Sequence, residues 1–314
     1  MNCQSCQGQT KKFGKDRKGN QRFRCLSCGI TFIQPVERLF GRMTLDENKA
    51  IDCLRLLVEG NSIRTIERFT GVHRDTILSV LQVAGERCEK LMEDRIKDLL
   101  VKEVQCDEVW GYVGMKERTK ARKGIEDNTL GDAWTFTAIE RNTKLILAYH
   151  LGRRTEADTI AFTEKLAHAT TGSFQITTDG FRPYQHAVVM SLGAQHVDFA
   201  QLVKLYTNTR EGEARYSPAE CTGAKKVPIY GNPDMEKVST SHIERHNLSI
   251  RMANRRMTRL TNAFSKSWVN HNATMAVYLM YYNFCRVHQT LRVTPAMEAG
   301  ITNHVWSLRE LLNS

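Results

Sequence analysis

The stretch from Val104 to Val113 constrains the fold most, because it places acidic residues inside an otherwise apolar segment. Apolar and aromatic residues that favour β-structure flank Asp107 on both sides, so the stretch predicts a buried strand. A carboxylate inside such a strand is costly unless it is paired or binds a metal. If the strand alternates regularly, Asp107 and Glu108 face opposite sides of the sheet, and only one of them can join a common site.

Two further acidic residues complete a candidate metal site. Asp179 ends a short strand that starts at Phe174, and Glu244 lies near the start of a helical, basic segment. Hard divalent cations prefer carboxylate oxygens, and two such ions about 3.5–4 Å apart can hold the attacking and leaving oxygens of a phosphodiester. We therefore expect Asp107, Asp179 and Glu244 to bind two Mg²⁺ or Mn²⁺ ions and to cut and join DNA. The alternatives are an ordinary turn at Asp179 and an electrostatic partner of a helix N-terminus at Glu244.

Composition bounds the class of protein. The 314 residues suffice for one large domain or for two to three smaller ones. The net charge of +11 indicates a polyanionic partner such as double-stranded DNA, although a merely basic enzyme would also fit. No run approaches the roughly 20 apolar residues of a membrane helix. The first residues lack the apolar segment of a signal peptide, so we expect a cytoplasmic, nucleoid-associated protein.

Residues 1–35 are predicted to form a zinc ribbon. Two Cys-x-x-Cys pairs, separated by 18 residues, offer four sulfur ligands at Cys3, Cys6, Cys25 and Cys28. Four thiolates suit a tetrahedral structural Zn²⁺ site, which would supply the folding energy of so short a segment. Two redox pairs are the alternative, but no βαβ pattern surrounds them. Basic residues interleaved with phenylalanines predict DNA contacts rather than a solvated loop, and the candidates are Lys11, Lys12, Arg22 and Arg24.

Residues 36–43 are expected to be a linker, and residues 44–100 a helix-turn-helix domain with a connector helix. Thr44 and Glu47 have the spacing of a capping box, and apolar residues recur at helical spacing up to Gly60. Further helices are predicted at 62–69 and 73–81, followed by a helical connector over 86–100. The last helix of such a motif enters the major groove, so the candidate base contacts are His73, Arg74 and Thr76. A plain three-helix packing module is the alternative.

Residues 101–295 are predicted to form an α/β catalytic domain. After the acidic strand, the pattern predicts strands at 133–139 and 144–151, a helix at 155–169, a strand ending at Asp179, a helix at 181–192 and a strand at 195–199. This order indicates a ribonuclease H-like mixed sheet flanked by helices. In that fold the first and fourth strands are neighbours, which would place Asp107 beside Asp179.

The remaining segments are a predicted insertion and a basic helix. Residues 207–238 are rich in glycine and proline without periodicity, so we expect a long loop there. The segment after it carries candidate phosphate contacts on a predicted helix, with the last three spaced by four as one stripe: Arg245, Arg251, Arg255 and Arg259. His288 could contact a phosphate, or serve in the core or as a cap. Residues 296–314 form a C-terminal tail.

Taken together, these motifs resemble the insertion-sequence-one transposases, almost from end to end. The resemblance rests on the ribbon, the helix-turn-helix and three runs, at Cys106–Trp110, Thr178–Gly180 and Ile243–Arg251. It implies a DDE enzyme of bacterial and archaeal mobile elements, with Asp107, Asp179 and Glu244 as the triad. In that family, the ribbon and helix-turn-helix bind terminal inverted repeats, and the ribonuclease H-like core uses magnesium to cut and rejoin DNA. The longer loop before Glu244 departs from the compact members that are made by frameshifting.

The sequence therefore predicts a transposase that acts as at least a dimer, since two element ends must be brought together. One alternative is a DNA-binding regulator with an inactive core, which would have no need to keep the triad. The other is a structure-specific nuclease that cuts without joining.

Overall fold

A computed structural model describes residues 2–17, 19–33, 39–41, 43–206 and 221–314. It divides the chain into two compact units, Met1–Thr44 and Leu45–Ser314. Residues 36–38 and 42 of the expected linker, and residues 207–220 of the expected insertion, lie outside the described residues.

The first unit contains a three-stranded antiparallel sheet in the order β1-β2-β3. Its strands are β1 (Thr10–Lys15), β2 (Gln21–Cys25) and β3 (Thr31–Ile33). Among the described residues between 2 and 33, the buried ones are Cys3 and Cys25. A core with so few buried side chains supplies little folding energy, and a bound metal ion would add to it.

The second unit begins with three helices, α1 (Glu47–Val58), α2 (Ile63–Thr70) and α3 (Arg74–Arg95). Asp46 caps α1 by accepting from the amides of Asn48 and Lys49, so the predicted capping box at Thr44 is wrong by two residues. The third helix is also longer than the predicted 73–81. It absorbs much of the predicted connector, because Gly85 does not break it.

The second unit is built on a six-stranded mixed sheet in the order β11-β10-β9-β5-β6-β7. Its strands are β5 (Glu103–Val113), β6 (Gly131–Glu140), β7 (Ile146–Gly152), β9 (Phe174–Asp179), β10 (Val197–Tyr206) and β11 (Cys221–Tyr230). A separate parallel pair is formed by β4 (Leu99–Leu100) and β8 (Thr170–Thr171). β5 pairs in parallel with β9 and antiparallel with β6. The predicted adjacency of the first and fourth strands is therefore confirmed.

Helices cover both faces of this sheet. The helices after α3 are α4 (Glu117–Arg122), α5 (Glu156–Ala169), α6 (Pro183–Leu192), α7 (Ser241–Ala253), α8 (Trp268–Phe284), α9 (Pro295–Glu298) and α10 (Leu308–Asn313). Phe136 of β6 packs against Phe162 of α5 and Tyr184 of α6, with ring centroids 5.6 and 6.4 Å apart. On the opposite face, Gln105 of β5 accepts backbone hydrogen bonds from the start of α7. A mixed sheet flanked by helices in this way is compatible with a ribonuclease H-like core.

Two predictions about the second half of the chain are wrong. β10 runs to Tyr206 rather than ending at 199, and β11 occupies part of the segment predicted as a loop. Pro228 is tolerated in β11 because this strand is at the edge of the sheet, where a missing amide donor costs little.

The predicted arginine stripe is also wrong. α7 ends at Ala253, since Asn254 adopts an extended conformation with φ −120° and ψ 104°. Arg255 and Arg259 therefore lie beyond the helix that carries Arg251. Among the described residues, no helix is both long and apolar enough to cross a membrane.

Candidate active site

Three carboxylates meet where β9 ends beside β5. The parallel register pairs Gln105 with Thr177, so Asp107 and Asp179, two residues further along each strand, lie side by side. Asp107, Glu108 and Asp179 each offer a carboxylate oxygen within 4.8 Å of the others. Glu108 thus lies close to the other two carboxylates although it is on the opposite face of β5 from Asp107, but of the two only Asp107 lines the cavity that Asp179 also lines.

Glu244 reaches the same place from α7. It lines a cavity of about 600 Å³ together with Asp107 and Asp179. Among the described residues, the close carboxylate cluster does not include Glu244, which accepts a hydrogen bond from Thr240 and forms an ion pair with Lys204 at 2.8 Å. The structure thus brings the three predicted acidic residues into one cavity, with Glu244 held by a lysine.

Two side chains that the sequence analysis missed tie α7 to β5. Gln105 is 2% exposed, and its Oε1 accepts from the amides of His242 and Ile243 at 2.9 and 3.1 Å. Asn247 donates from Nδ2 to Asp107 Oδ2 at 2.8 Å. The available signal for Asn247 was its spacing, because a residue three positions after Glu244 lies on the same helix face. These contacts place Glu244 opposite Asp107.

Arg154 is a further site residue that the sequence analysis missed. Its Nε contacts Glu108 Oε2 at 3.1 Å, and its Nη2 contacts Asp179 Oδ2 at 3.5 Å. The guanidinium lies between the rings of Trp134 and Phe181, 4.6 and 4.3 Å from their centroids. Its backbone is left-handed, with φ +63°, which is uncommon outside glycine. The stacking and the ion pairs together hold one positive charge against two carboxylates.

Burial and neighbouring carboxylates raise the pKa values of Asp107 and Glu108. Burial raises the pKa of Asp107 to about 6, and the neighbouring Asp179 carboxylate adds to the rise. Burial and Asp179 raise the pKa of Glu108 to about 8, against the opposing effects of Tyr184 and Arg154. Carboxylates that repel one another bind either a proton or a cation more readily than isolated ones. Such a site favours a bound cation.

The donor set fits a hard divalent cation. All the candidate ligands are carboxylate oxygens, which Mg²⁺ and Mn²⁺ prefer over nitrogen or sulfur. One of them, Glu108, is buried, with Arg154 at Oε2 and the hydroxyl of Tyr184 beside it. The cluster of Asp107, Glu108 and Asp179 could therefore hold a metal ion.

The first unit contains a second candidate metal site of different chemistry. The sulfurs of Cys3, Cys6, Cys25 and Cys28 all lie within 4.8 Å of one another. The closest pairs are Cys6–Cys25 at 3.4 Å and Cys3–Cys28 at 3.6 Å. The amides of Cys28 and Ser27 donate to Cys25 Sγ and lower the pKa of that thiol to about 6. A thiolate in a group of four sulfurs could bind Zn²⁺.

The predicted DNA contacts of the N-terminal part are mostly exposed. Lys11, Lys12 and Arg24 are exposed on β1 and β2, and the guanidinium groups of Arg22 and Arg24 lie over the Phe13 ring at 5.5 and 5.4 Å. In the second unit, Arg74 and Thr76 belong to the first turn of α3. His73 caps that helix by accepting from the amide of Asp75 at 3.3 Å. These residues remain candidates for DNA contact.

The later basic residues divide into two groups. Arg245, Arg255 and Arg259 are exposed. Arg251 instead donates to the backbone oxygens of Met257 and Trp110, both at 3.1 Å, so it ties the segment after α7 to β5. His288 is half-buried, interacts with Thr290 at 3.0 Å and does not line the cavity.

Comparisons with known proteins leave the family open. No protein-family model matches the chain, and no curated protein matches it. The chain is similar to a piggyBac transposase in a synaptic complex with hairpin DNA, with a TM-score of 0.36 and 10% identity over 89% of this chain and 72% of that chain. It is also similar to an endonuclease V from Bacillus subtilis, with a TM-score of 0.23 and 14% identity over 64% of this chain and 90% of that chain. Both similarities are too weak to carry an argument about function.

Proposed function

We propose that this protein is a DDE transposase of a mobile element, which cleaves DNA at the element ends and joins them to a target with divalent metal ions. The observation that carries the proposal is the convergence of Asp107, Asp179 and Glu244 on one cavity. Three acidic residues from two strands and a helix form the all-oxygen ligand set that phosphoryl transfer between DNA strands requires. The resemblance in sequence to insertion-sequence-one transposases supports the same assignment.

In this proposal, Asp107, Asp179 and Glu244 hold two Mg²⁺ or Mn²⁺ ions. When bound, these ions activate the attacking oxygen and stabilise the leaving oxygen of the phosphodiester. Asn247 orients the Asp107 carboxylate through its hydrogen bond to Oδ2. Arg154 fixes Asp179 and neutralises Glu108. The exposed Arg182 at the cavity wall is placed to bind a DNA phosphate.

We further propose that the N-terminal part selects the DNA. The four-cysteine group would hold Zn²⁺, and the basic strands β1 and β2 would bind the phosphates of the terminal inverted repeats. The first turn of α3, with His73, Arg74 and Thr76, would read base edges in the major groove. Two ends must be synapsed, so the active form would be at least a dimer.

The proposal is tested with a plasmid that carries the DNA flanking this gene, incubated with the pure protein and Mg²⁺. We expect strand breaks at the gene borders together with joined products. Asp107→Asn, Asp179→Asn and Glu244→Gln should each abolish cleavage and leave DNA binding intact, because each removes a metal ligand and no phosphate contact. Normal cleavage by one of these variants would remove that residue from the site.

Two other outcomes would replace the proposal. Breaks without joined products would indicate a structure-specific nuclease. Tight binding without breaks under any divalent ion would indicate a DNA-binding regulator.

A further inference from the structure

The ammonium group of Lys204 lies beside the predicted metal ligand Glu244, where a metal ion would approach the carboxylate. Its Nζ lies 2.8 Å from Glu244 Oε1, and both side chains line the same cavity. Thr240 donates to the same carboxylate oxygen. Oε1 of Glu244 is therefore engaged by two neighbouring groups of the protein, and among the described residues Lys204 forms its ion pair with Glu244 rather than with Asp107 or Asp179. The charge of Lys204 also acts on Asp107 at longer range.

The strand geometry explains why a lysine reaches this place. β9 ends at Asp179, whose register partner on β10 is Leu202. β10 continues beyond that point, supported by antiparallel pairing with β11, in which Lys204 is opposite Ala224. Leu202 and Lys204 are two residues apart and share a face of β10. Lys204 therefore projects past the end of β9, next to the acidic cluster.

An ammonium group and a divalent cation compete for one carboxylate. A metal ion at Glu244 would face the positive charge of Lys204 at short range, and such repulsion weakens metal binding. Lysine is a compact charge on a flexible stem, so it can move to another anion when one arrives. A DNA phosphate in this cavity would be such an anion, because Lys204 lines the cavity together with the basic residues Arg154 and Arg182.

We propose that Lys204 is a substrate contact that binds a DNA phosphate, and that it holds Glu244 until the DNA enters. DNA binding would then release Glu244 to the metal ions, so that the complete metal site forms only around substrate. This inference rests on the proposed function and adds to it a residue that couples DNA binding to metal binding.

The test is calorimetric titration of Mn²⁺ into the full-length, zinc-loaded protein without DNA. Lys204→Met should bind Mn²⁺ about two- to fivefold more tightly than the wild type, as expected for removal of a partly exposed ion pair. Most of the gain should disappear when Lys204→Met/Glu244→Gln is compared with Glu244→Gln alone, because the released carboxylate is then absent and Lys204 acts on Asp107 only at longer range. Lys225→Met removes the same charge from an exposed position of β11 outside the cavity, so it should leave Mn²⁺ affinity unchanged.

A second measurement tests the phosphate contact. A short duplex oligonucleotide of random sequence should tighten Mn²⁺ binding to the wild type and have no such effect on Lys204→Met. The dependence of duplex affinity on salt should also weaken in this variant by about one unit of slope on a log–log plot.

Equal Mn²⁺ affinities of the wild type and Lys204→Met would overturn the proposal, as would a gain of undiminished size in the Glu244→Gln background. Failure of the proposed function gives a different result. If Asp107→Asn binds Mn²⁺ as tightly as the wild type does, then Asp107 is not a metal ligand. The proposed metal site would then be wrong regardless of the result with Lys204→Met.

Discussion

At the residue scale, Glu108 is the most unusual charge in the second unit. Its side chain is 1% exposed, and only the Arg154 guanidinium and the nearby Tyr184 hydroxyl favour its charged form against burial. Removing a carboxylate from water without full compensation disfavours its charged form. The folded protein therefore holds a proton on Glu108 more tightly than the unfolded chain does, and its pKa rises from 4.5 to about 8.

This shift predicts a pH dependence of stability in the absence of divalent ions. Between pH 4.5 and 8 the folded state binds more protons at Glu108 than the unfolded state, so stability falls as pH rises through this range. Asp107, with a pKa of about 6, contributes in the same direction at lower pH. The buried histidines His246 and His271, whose pKa values are lowered to about 3 and about 4, contribute in the opposite direction up to about pH 7, so the Glu108 contribution is isolated by comparing variants. Between pH 6 and 8, the thermal unfolding midpoint of Glu108→Gln should fall less, or rise more, with pH than that of the wild type.

The matched control for this prediction is Glu236→Gln, which changes an exposed carboxylate in the same way. It should keep the slope of the wild type. If Glu108→Gln shows the same slope as the wild type, then Glu108 is not protonated in the folded protein at neutral pH, and the ion pair with Arg154 keeps it charged.

At the element scale, α3 and α8 approach each other closely at Gly85. A Cβ atom at this position would lie 2.5 Å from the Cβ and 2.6 Å from the Cα of Ala273. Real side-chain carbons do not come so near, so only glycine permits this distance between the helices. α3, which begins at the proposed major-groove contacts, is thereby packed against the helix that follows α7 in the chain.

We predict that Gly85→Ala destabilises the second unit. Overpacking at a helix contact costs about 1–3 kcal/mol, and this outweighs the gain of about 1 kcal/mol in helix propensity. The melting temperature should fall by a few degrees, at about 2–4 °C for each kcal/mol in a domain of this size. Differential scanning calorimetry measures the change.

Ser79→Ala is the control for helix propensity, since Ser79 is exposed on the same helix. It should leave the melting temperature unchanged or raise it slightly. A Gly85→Ala variant as stable as the wild type would mean that α3 and α8 are further apart than the structure places them.

At the scale of the whole molecule, the two compact units differ in what stabilises them. The second unit has a large apolar core around its sheet. Among the described residues between 2 and 33, the buried side chains are Cys3 and Cys25, which are two of the four clustered cysteines. A unit with so few buried apolar side chains would gain much of its folding energy from a metal ion bound at the four cysteines.

Loss of zinc should therefore affect the two units unequally. Cys25→Ser should lower the zinc content from about one ion per chain to near zero and expose residues 2–33 to proteolysis. It should also weaken binding to the DNA that flanks the gene, because the basic strands lose their order. Hydrogen exchange of the second unit should keep its protection.

Cys221→Ser removes an exposed thiol outside the cluster and should change neither zinc content nor DNA affinity. Unchanged DNA affinity of Cys25→Ser would contradict zinc-dependent recognition of the DNA.

The sequence by itself determined the features that depend on neighbours along the chain. Residue type and spacing along the chain were enough to predict the Cys-x-x-Cys pairs, the acidic strand and the order of strands and helices. Strand order was also enough to place Asp107 beside Asp179, because few topologies accommodate that order.

Only the tertiary structure decided which charges face each other. The end of α7 at Ala253, the edge strand β11, the stacking of Arg154 and the pairing of Lys204 with Glu244 all depend on residues far apart in the chain. Spacing cannot reveal such contacts, because a charged side chain has the same local pattern whether it faces solvent or another charge. The acidic residues could thus be found from the sequence, whereas the basic side chains that pair with them, Arg154 and Lys204, could not.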